Sequence, residues 1–174
     1  YADPMSPPYY HPAYNWLFYY FYGYFSKLAL GLFSLSDAWI PTIGRYISLL
    51  AMMFCIVASY FAFAKTSQAQ DNFLKLICLS FAVYVAAGPL IGFWNITARA
   101  DQWAMTLEIV GCAFFLFFNS ERRWTALFLL MIFCYFAWAF KQGNVFAIGG
   151  VGLFLLVRQD WKRLAVLVIF IPGT

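Results

Sequence analysis

The sequence predicts an all-α protein, a polytopic transmembrane helical bundle of about six to seven membrane segments. Of its 174 residues 64% are apolar and 10% charged, whereas soluble domains carry about 25% charged residues. The apolar residues form successive runs separated by short polar connectors. An open chain in a bilayer satisfies its backbone only as helices, so the runs are predicted to be helical. Aromatic residues make up 23% of the chain, and Tyr and Trp favour the membrane–water interface.

The N-terminal part combines a proline-rich segment with an aromatic one. Residues 1–12 contain four prolines and are predicted to form an irregular extracytoplasmic loop. An apolar stretch follows at about 13–35, in which residues 14–25 hold five Tyr and one Trp. So many hydroxyl groups favour a helix that lies in the interface or is half inserted. If this stretch instead spans the membrane, the proline-rich loop is cytoplasmic.

The remaining apolar stretches are the predicted helices of the bundle. They lie at about 43–64, 73–93, 102–119, 124–140, 144–157 and 164–172. Three glycines at 149, 150 and 152 predict close helix packing in the sixth stretch. The last stretch is shorter than a membrane span and the chain starts at Tyr1, so residues 1–174 are expected to be a fragment of one transmembrane domain.

Basic residues sort into two sets of connectors. The larger set has seven members: Lys65, Lys75, Arg122, Arg123, Arg158, Lys162 and Arg163. The alternate set has three, Arg45, Arg99 and Lys141, while Lys27 lies within the first stretch. The positive-inside rule places the larger set in the cytoplasm and the smaller set on the extracytoplasmic side.

The smaller set and Asp101 are the candidate functional residues. Charges at membrane depth are costly and usually functional, so a row of them on one side predicts a site for an anionic group. The planar guanidinium of Arg99 suits a phosphate, and Asp101 suits positioning or accepting a proton. The alternative is that Asp101 caps a helix while the basic residues are interfacial anchors.

Glu108 lies two helical turns beyond Asp101 on nearly the same face. A structural hydrogen bond is the simplest prediction for a carboxylate there, and a supporting role beneath the site is the alternative. The four cysteines have no metal-binding spacing and are interpreted as packing residues. The scattered positive charge does not predict nucleic-acid binding.

Short motifs along the chain resemble the N-terminal membrane module of the GT-C glycosyltransferases. This group includes the protein O-mannosyltransferases, the aminoarabinose transferase of lipid A and many bacterial polysaccharide glycosyltransferases. The motifs that carry the resemblance are Pro-Pro-Tyr-Tyr-His-Pro-Ala-Tyr at 7–14, Gly-Arg-Tyr-Ile-Ser-Leu-Leu at 44–50, Ala-Arg-Ala-Asp at 98–101, Glu-Arg-Arg at 121–123 and Phe-Lys-Gln at 140–142.

The resemblance implies transfer of a hexosyl or pentosyl group from a polyprenyl-phosphate donor to a glycan, lipid or protein acceptor. The reaction would take place on the extracytoplasmic face of a bacterial inner membrane. Asp101 matches the family's second acid, and the main catalytic acid is expected upstream of Tyr1. Substrate-binding residues carried over from the motifs are Arg45, Arg99, Lys141, Gln142, His11 and Tyr14.

Cofactors and rival functions stay open in the sequence. The resemblance is compatible with a divalent cation, but no cofactor is certain and no metal ligands are identified. The rivals are a transporter or flippase of a lipid-linked anion, and a polysaccharide polymerase or ligase that uses a similar donor. A transporter predicts internal repeats, which are not evident in this sequence.

Overall fold

A computed structural model describes residues 16–68, 70–88, 100–141 and 146–170. Within these ranges the chain forms helices joined by short turns, and the all-α prediction is confirmed. The helices are α1 (Trp16–Phe33), α2 (Ile40–Thr66), α3 (Asn72–Ala87), α4 (Ala100–Phe118), α5 (Arg123–Phe140), α6 (Phe146–Val157) and α7 (Trp161–Phe170). A 3-10 turn, Asp37–Trp39, leads into α2.

Three helical segments are long and apolar enough to cross a membrane. They are Asp37–Thr66, α4 and α5. Helices α3 and α6 are apolar but shorter, at 16 and 12 residues. The helices thus support a membrane protein, whereas the count of six to seven spans is not confirmed. The interfacial placement of the aromatic helix α1 stays a prediction.

Short turns with local polar contacts separate the helices. Ser34, Gln68 and Gln159 have positive φ values of 50–54° and follow the ends of α1, α2 and α6. This left-handed conformation commonly ends a helix because it turns the backbone out of the helical path. Asp71 caps α3, since its side chain accepts a hydrogen bond from the Leu74 amide at 2.6 Å.

The helix directions place the charged residues at two ends of the bundle. Helices α2 and α4 run parallel, because Thr106 donates to the Ala51 carbonyl and Lys65 lies over the Phe117 ring farther along both helices. Ala51 and Thr106 lie at the same level of the two parallel helices. Arg45 is six residues before Ala51, and Ala100, the first residue of α4, is six residues before Thr106, so Arg45 lies at the end of the bundle where α4 begins. We call this end, which holds Arg45, Asp101 and Lys141, the rim.

The opposite end holds the basic residues of the larger set. Arg123, Arg158 and Arg163 line one pocket there. Lys75 lies near the start of α3, whose Cys78 is hydrogen-bonded to Ser67 just after α2. The predicted sorting of charges is therefore present in the fold, and which end faces the cytoplasm stays a prediction.

Gly111 lies at a close contact between α4 and α5. A Cβ atom added there would lie 3.1 Å from Cβ of Phe133 and 3.4 Å from Cδ1 of Leu130. Among the described residues the close packing predicted for residues 149 and 150 is not found, because a Cβ at either glycine meets none of their atoms within 4 Å. Gly152 has only an ordinary contact with Leu167, at 3.8 Å. The small residue that the packing requires lies in the α4–α5 hairpin.

We expect Gly111→Ala to reduce the free energy of unfolding by about 1–3 kcal/mol, because the added methyl group forces the two helices apart. Gly149→Ala is the matched control, since its methyl group enters open space in a helix of similar apolar character. Denaturant titration of the purified protein in detergent measures the free energy of unfolding of both variants. Equal stability of the two variants would contradict the tight α4–α5 contact.

Candidate functional site

An ion pair between Asp101 and Lys141 is the centre of the rim. Asp101 is the second residue of α4, and Lys141 directly follows α5. The antiparallel α4–α5 hairpin brings these residues together although they are 40 positions apart, and Lys141 Nζ donates to Asp101 Oδ1. Both side chains are partly exposed. The fold therefore joins two of the predicted site residues directly.

Several polar side-chain atoms in the first residues of α4 are buried. Asp101 Oδ2, both amide atoms of Gln102 and Nε1 of Trp103 have no hydrogen-bond partner in the part of the chain that the structure describes. Gln102 is almost fully buried, with 1% of its surface exposed. Burying such groups unpaired is unfavourable. Within the described residues, each of these atoms is therefore a candidate for contact with bound water or a polar ligand.

An aromatic cluster packs against the base of the rim. The Phe21 ring lies 5.0 Å from Trp103 and 5.3 Å from Phe140, with edge-to-face geometry in both pairs. Trp103 and Phe140 are stacked at 6.3 Å. The cluster therefore packs beside the first turn of α4 and the last turn of α5, the two helix ends that carry Asp101 and Lys141.

Helix α1 is attached to the bundle at the same level. The Tyr22 hydroxyl and the Ser48 hydroxyl form a buried hydrogen bond of 2.7 Å. Tyr22 also belongs to the buried cluster formed with Ala104 and Ala137. The aromatic helix is therefore a wall of the rim.

The other predicted site residues have different outcomes. Arg45 lies at the rim end and is exposed, and no ion pair involves it among the residues described. His11, Tyr14, Arg99 and Gln142 lie outside the described residues, as does the proline-rich loop 1–12. Their roles stay predictions. The described part of the site thus consists of the Asp101–Lys141 pair and its buried neighbours.

Glu108 makes the structural hydrogen bonds predicted for it. Its side chain is buried, and its carboxyl group accepts hydrogen bonds from the backbone amides of Phe146 and Ala147, the first two residues of α6. Oε1 has no partner within the described ranges. Carboxyl oxygens at this position complement the unsatisfied backbone amides at the start of α6. Glu108 therefore fixes the point where α6 begins against the middle of α4.

An apolar groove of about 400 Å³ lies between α1 and the first turns of α2. Ile47 connects it to the rim, because this side chain lines the groove and also packs on the cluster that contains Phe140. The groove is lined by Phe25, Ala29, Phe33, Leu35, Trp39, Thr42, Ile43, Tyr46, Ile47 and Leu50. Such a surface suits an alkyl or isoprenoid chain.

Comparison with known proteins gives no relative: no family model, curated protein or solved structure matches the chain. The site therefore rests on its own geometry. Sequence reasoning overlooked Gln102, Trp103, Tyr22 and Ser48. The glutamine had a recognisable signal, since an amide within an apolar helix must find a partner, whereas the other three resemble ordinary interfacial or packing residues.

Proposed function

We propose that this protein is a membrane glycosyltransferase of the GT-C type, which transfers a sugar from a polyprenyl-phosphate donor to an acceptor hydroxyl at the rim. The observation that carries the proposal is the Asp101–Lys141 pair, in which one carboxylate oxygen has no partner among the residues that the structure describes. In this pair Lys141 supplies a cation that can bind a phosphate, and Asp101 supplies a carboxylate that can accept a proton. The GT-C resemblance of the motifs at 44–50, 98–101 and 140–142 supports the same assignment.

The chemistry requires both members of the pair. The acceptor oxygen attacks the anomeric carbon, the bond from that carbon to the phosphate oxygen breaks, and polyprenyl phosphate leaves with the electron pair. Lys141 stabilises the negative charge that develops on the leaving phosphate. The Asp101 carboxylate orients the acceptor hydroxyl and receives its proton. Arg45 and Arg99 are the further cations proposed to bind the phosphate.

The apolar groove between α1 and α2 is proposed to hold the isoprenoid chain. Its connection to the rim through Ile47 lets the phosphate lie near Lys141 while the chain stays in contact with apolar side chains. Burial of these methylene groups would contribute most of the binding free energy without affecting the reacting atoms. The groove matches the isoprenoid chain of a lipid-linked sugar, and the ion pair matches its phosphate and the reacting sugar.

A transfer assay tests the proposed function. The protein in liposomes is given a polyprenyl-phosphate donor with a labelled sugar, together with candidate glycan, lipid and peptide acceptors. Formation of a labelled glycoside with stoichiometric release of polyprenyl phosphate supports the transferase. If intact donor moves across the bilayer with no glycoside formed, the transferase is wrong.

That second result would identify the alternative function, a carrier for a lipid-linked anion. Glu108 favours this alternative, because buried ionisable residues within membrane helices often mark substrate or ion pathways. A carrier would use the same rim cations for binding and would leave the sugar–phosphate bond intact.

We expect the rim to face the extracytoplasmic side, because the larger set of basic residues lies at the opposite end. Cysteine introduced at Arg45 should react with a membrane-impermeant thiol reagent added outside intact cells. Cysteine at Lys162, an exposed residue of the opposite end, should react only after the cells are opened. The reverse pattern would place the proposed site in the cytoplasm and contradict the topology.

A further inference from the structure

A second charged site lies at the end of the bundle opposite the rim. It is a pocket of about 360 Å³ where α4 ends, α5 begins and the α6–α7 turn packs against them. We call it the arginine pocket. It is lined by Asn119, Ser120, Arg123, Phe154, Arg158, Asp160 and Arg163. Three guanidinium groups thus share one pocket with a single carboxylate.

Arg163 is held rigidly at the base of this pocket. Only 5% of its surface is exposed, its Nε donates to Asp160 Oδ2 at 2.7 Å, and its Nη1 donates to Asn119 Oδ1 at 2.5 Å. Nη1 also approaches the Arg123 carbonyl oxygen at 3.5 Å. The other terminal nitrogen, Nη2, has no partner among residues 16–68, 70–88, 100–141 and 146–170. A buried, oriented guanidinium therefore keeps two N–H groups for a ligand.

The two remaining arginines leave the pocket with an excess of positive charge. Arg158 stacks over the Phe154 ring at 5.6 Å, which orients its guanidinium beside the pocket. Neither Arg123 nor Arg158 has an ion pair in the described segments. The hydrogen bond from Arg163 lowers the pKa of Asp160, so this carboxylate stays ionised and occupied with Arg163. The free donors and the uncompensated charge both suit an anion.

The surroundings of the pocket place it at the level of lipid headgroups. Trp124 and Trp161 adjoin Arg123 and Asp160 in the chain, and both are strongly exposed, as expected for interfacial anchors. Apolar side chains are exposed on the helices that lead away from the pocket, among them Phe128, Ile132, Leu153 and Leu156. A molecule with a phosphate and acyl chains matches both features. A free phosphate ion would contact the cationic pocket and would make no use of the exposed apolar side chains.

We propose that the arginine pocket binds the phosphate of an anionic phospholipid, with Arg163 Nη2, Arg123 and Arg158 as donors to its oxygens. Guanidinium groups suit this task because their planar donors match phosphate geometry. Basic pockets between membrane helices on the cytoplasmic side commonly bind such headgroups. The bound lipid would join α4, α5, α6 and α7 and stabilise the opposite end of the bundle independently of the chemistry at the rim.

Binding of defined lipids to the purified protein tests this site. The probes are phosphatidylglycerol, phosphatidylcholine and inorganic phosphate, and binding is measured by native mass spectrometry together with the thermal shift. The double variant Arg123→Gln/Arg158→Gln removes two pocket cations. Arg122→Gln/Lys162→Gln is its control, because it removes the same charge from exposed residues outside the pocket at the same end.

We expect the wild type and the control to retain phosphatidylglycerol in preference to phosphatidylcholine. The affinity of the pocket variant for phosphatidylglycerol should fall by about tenfold or more. Arg163→Lys, which keeps the charge but loses the fork of donors, should weaken binding in the same direction. An equal loss in both double variants would mean diffuse surface attraction and overturn the proposal. Binding of inorganic phosphate as tight as that of the lipid would overturn its lipid component.

Discussion

Replacing Asp101 with asparagine is expected to lower the rate of sugar transfer by about 100-fold or more, because the variant keeps the shape of the side chain but loses its ability to take up a proton. The carboxylate is poised for this role, since Oδ1 is engaged by Lys141 while the buried Oδ2 has no partner among the described residues. The measurement is the initial rate of glycoside formation in liposomes, with kcat and KM determined separately.

Asp37→Asn is the matched control for this prediction. Asp37 lies exposed in the 3-10 turn before α2, so the same chemical change is made outside the proposed machinery. Its transfer rate should stay near that of the wild type. An unchanged rate in Asp101→Asn, with the protein folded in the membrane, would leave Asp101 only a structural role.

Lys141→Met separates the functions of the two members of the pair. Loss of the cation should raise KM for the donor and lower kcat, because Lys141 is proposed to contact the phosphate before and during bond cleavage. If Asp101 acts only by positioning Lys141, the double variant Asp101→Asn/Lys141→Met will transfer sugar as fast as Lys141→Met alone. If it receives the proton, the double variant will lose more activity than either single variant.

Replacing Glu108 with leucine is expected to reduce the free energy of unfolding by about 1–3 kcal/mol, since it removes the acceptor for the backbone amides of Phe146 and Ala147 at the start of α6. Glu108→Gln is the control, because its amide oxygen can still accept these hydrogen bonds. Denaturant titration in detergent gives the stability, and hydrogen exchange of the amides at 146 and 147 locates the effect.

A Glu108→Leu variant with wild-type stability and unchanged exchange would show that α6 does not depend on this carboxylate. A stable variant that loses donor translocation would instead favour the carrier function. The two readouts therefore separate a capping role from a transport role.

Much of the helical architecture could be predicted from the sequence because charged residues and turns interrupt its apolar runs. The predicted stretch 124–140 matches α5, and 144–157 matches α6 to within two residues. The third stretch was predicted to reach residue 93, and its described helix ends at Ala87. The bilayer requirement for internally satisfied backbone makes such runs helical irrespective of their partners.

The contacts within the sites could be predicted only in part. The sequence placed Asp101 and Lys141 at the same end, but their direct ion pair depends on the register of the α4–α5 hairpin. The hairpin packs tightly where Gly111 meets Phe133, a contact that the composition of neither helix reveals. The importance of Gln102 also depends on the tertiary structure. Its amide matters because neighbouring helices bury it and it has no partner among the described residues.

The sequence by itself determined that the protein is a bundle of apolar helices with its basic residues divided between two sets of connectors. These properties follow from local composition and from the cost of exposing charges and unpaired backbone groups to an apolar medium. The tertiary structure alone decided which charges meet. It paired Asp101 with Lys141, joined Glu108 to the start of α6 and gathered three arginines around one carboxylate, because each contact depends on helix direction and register over many intervening residues.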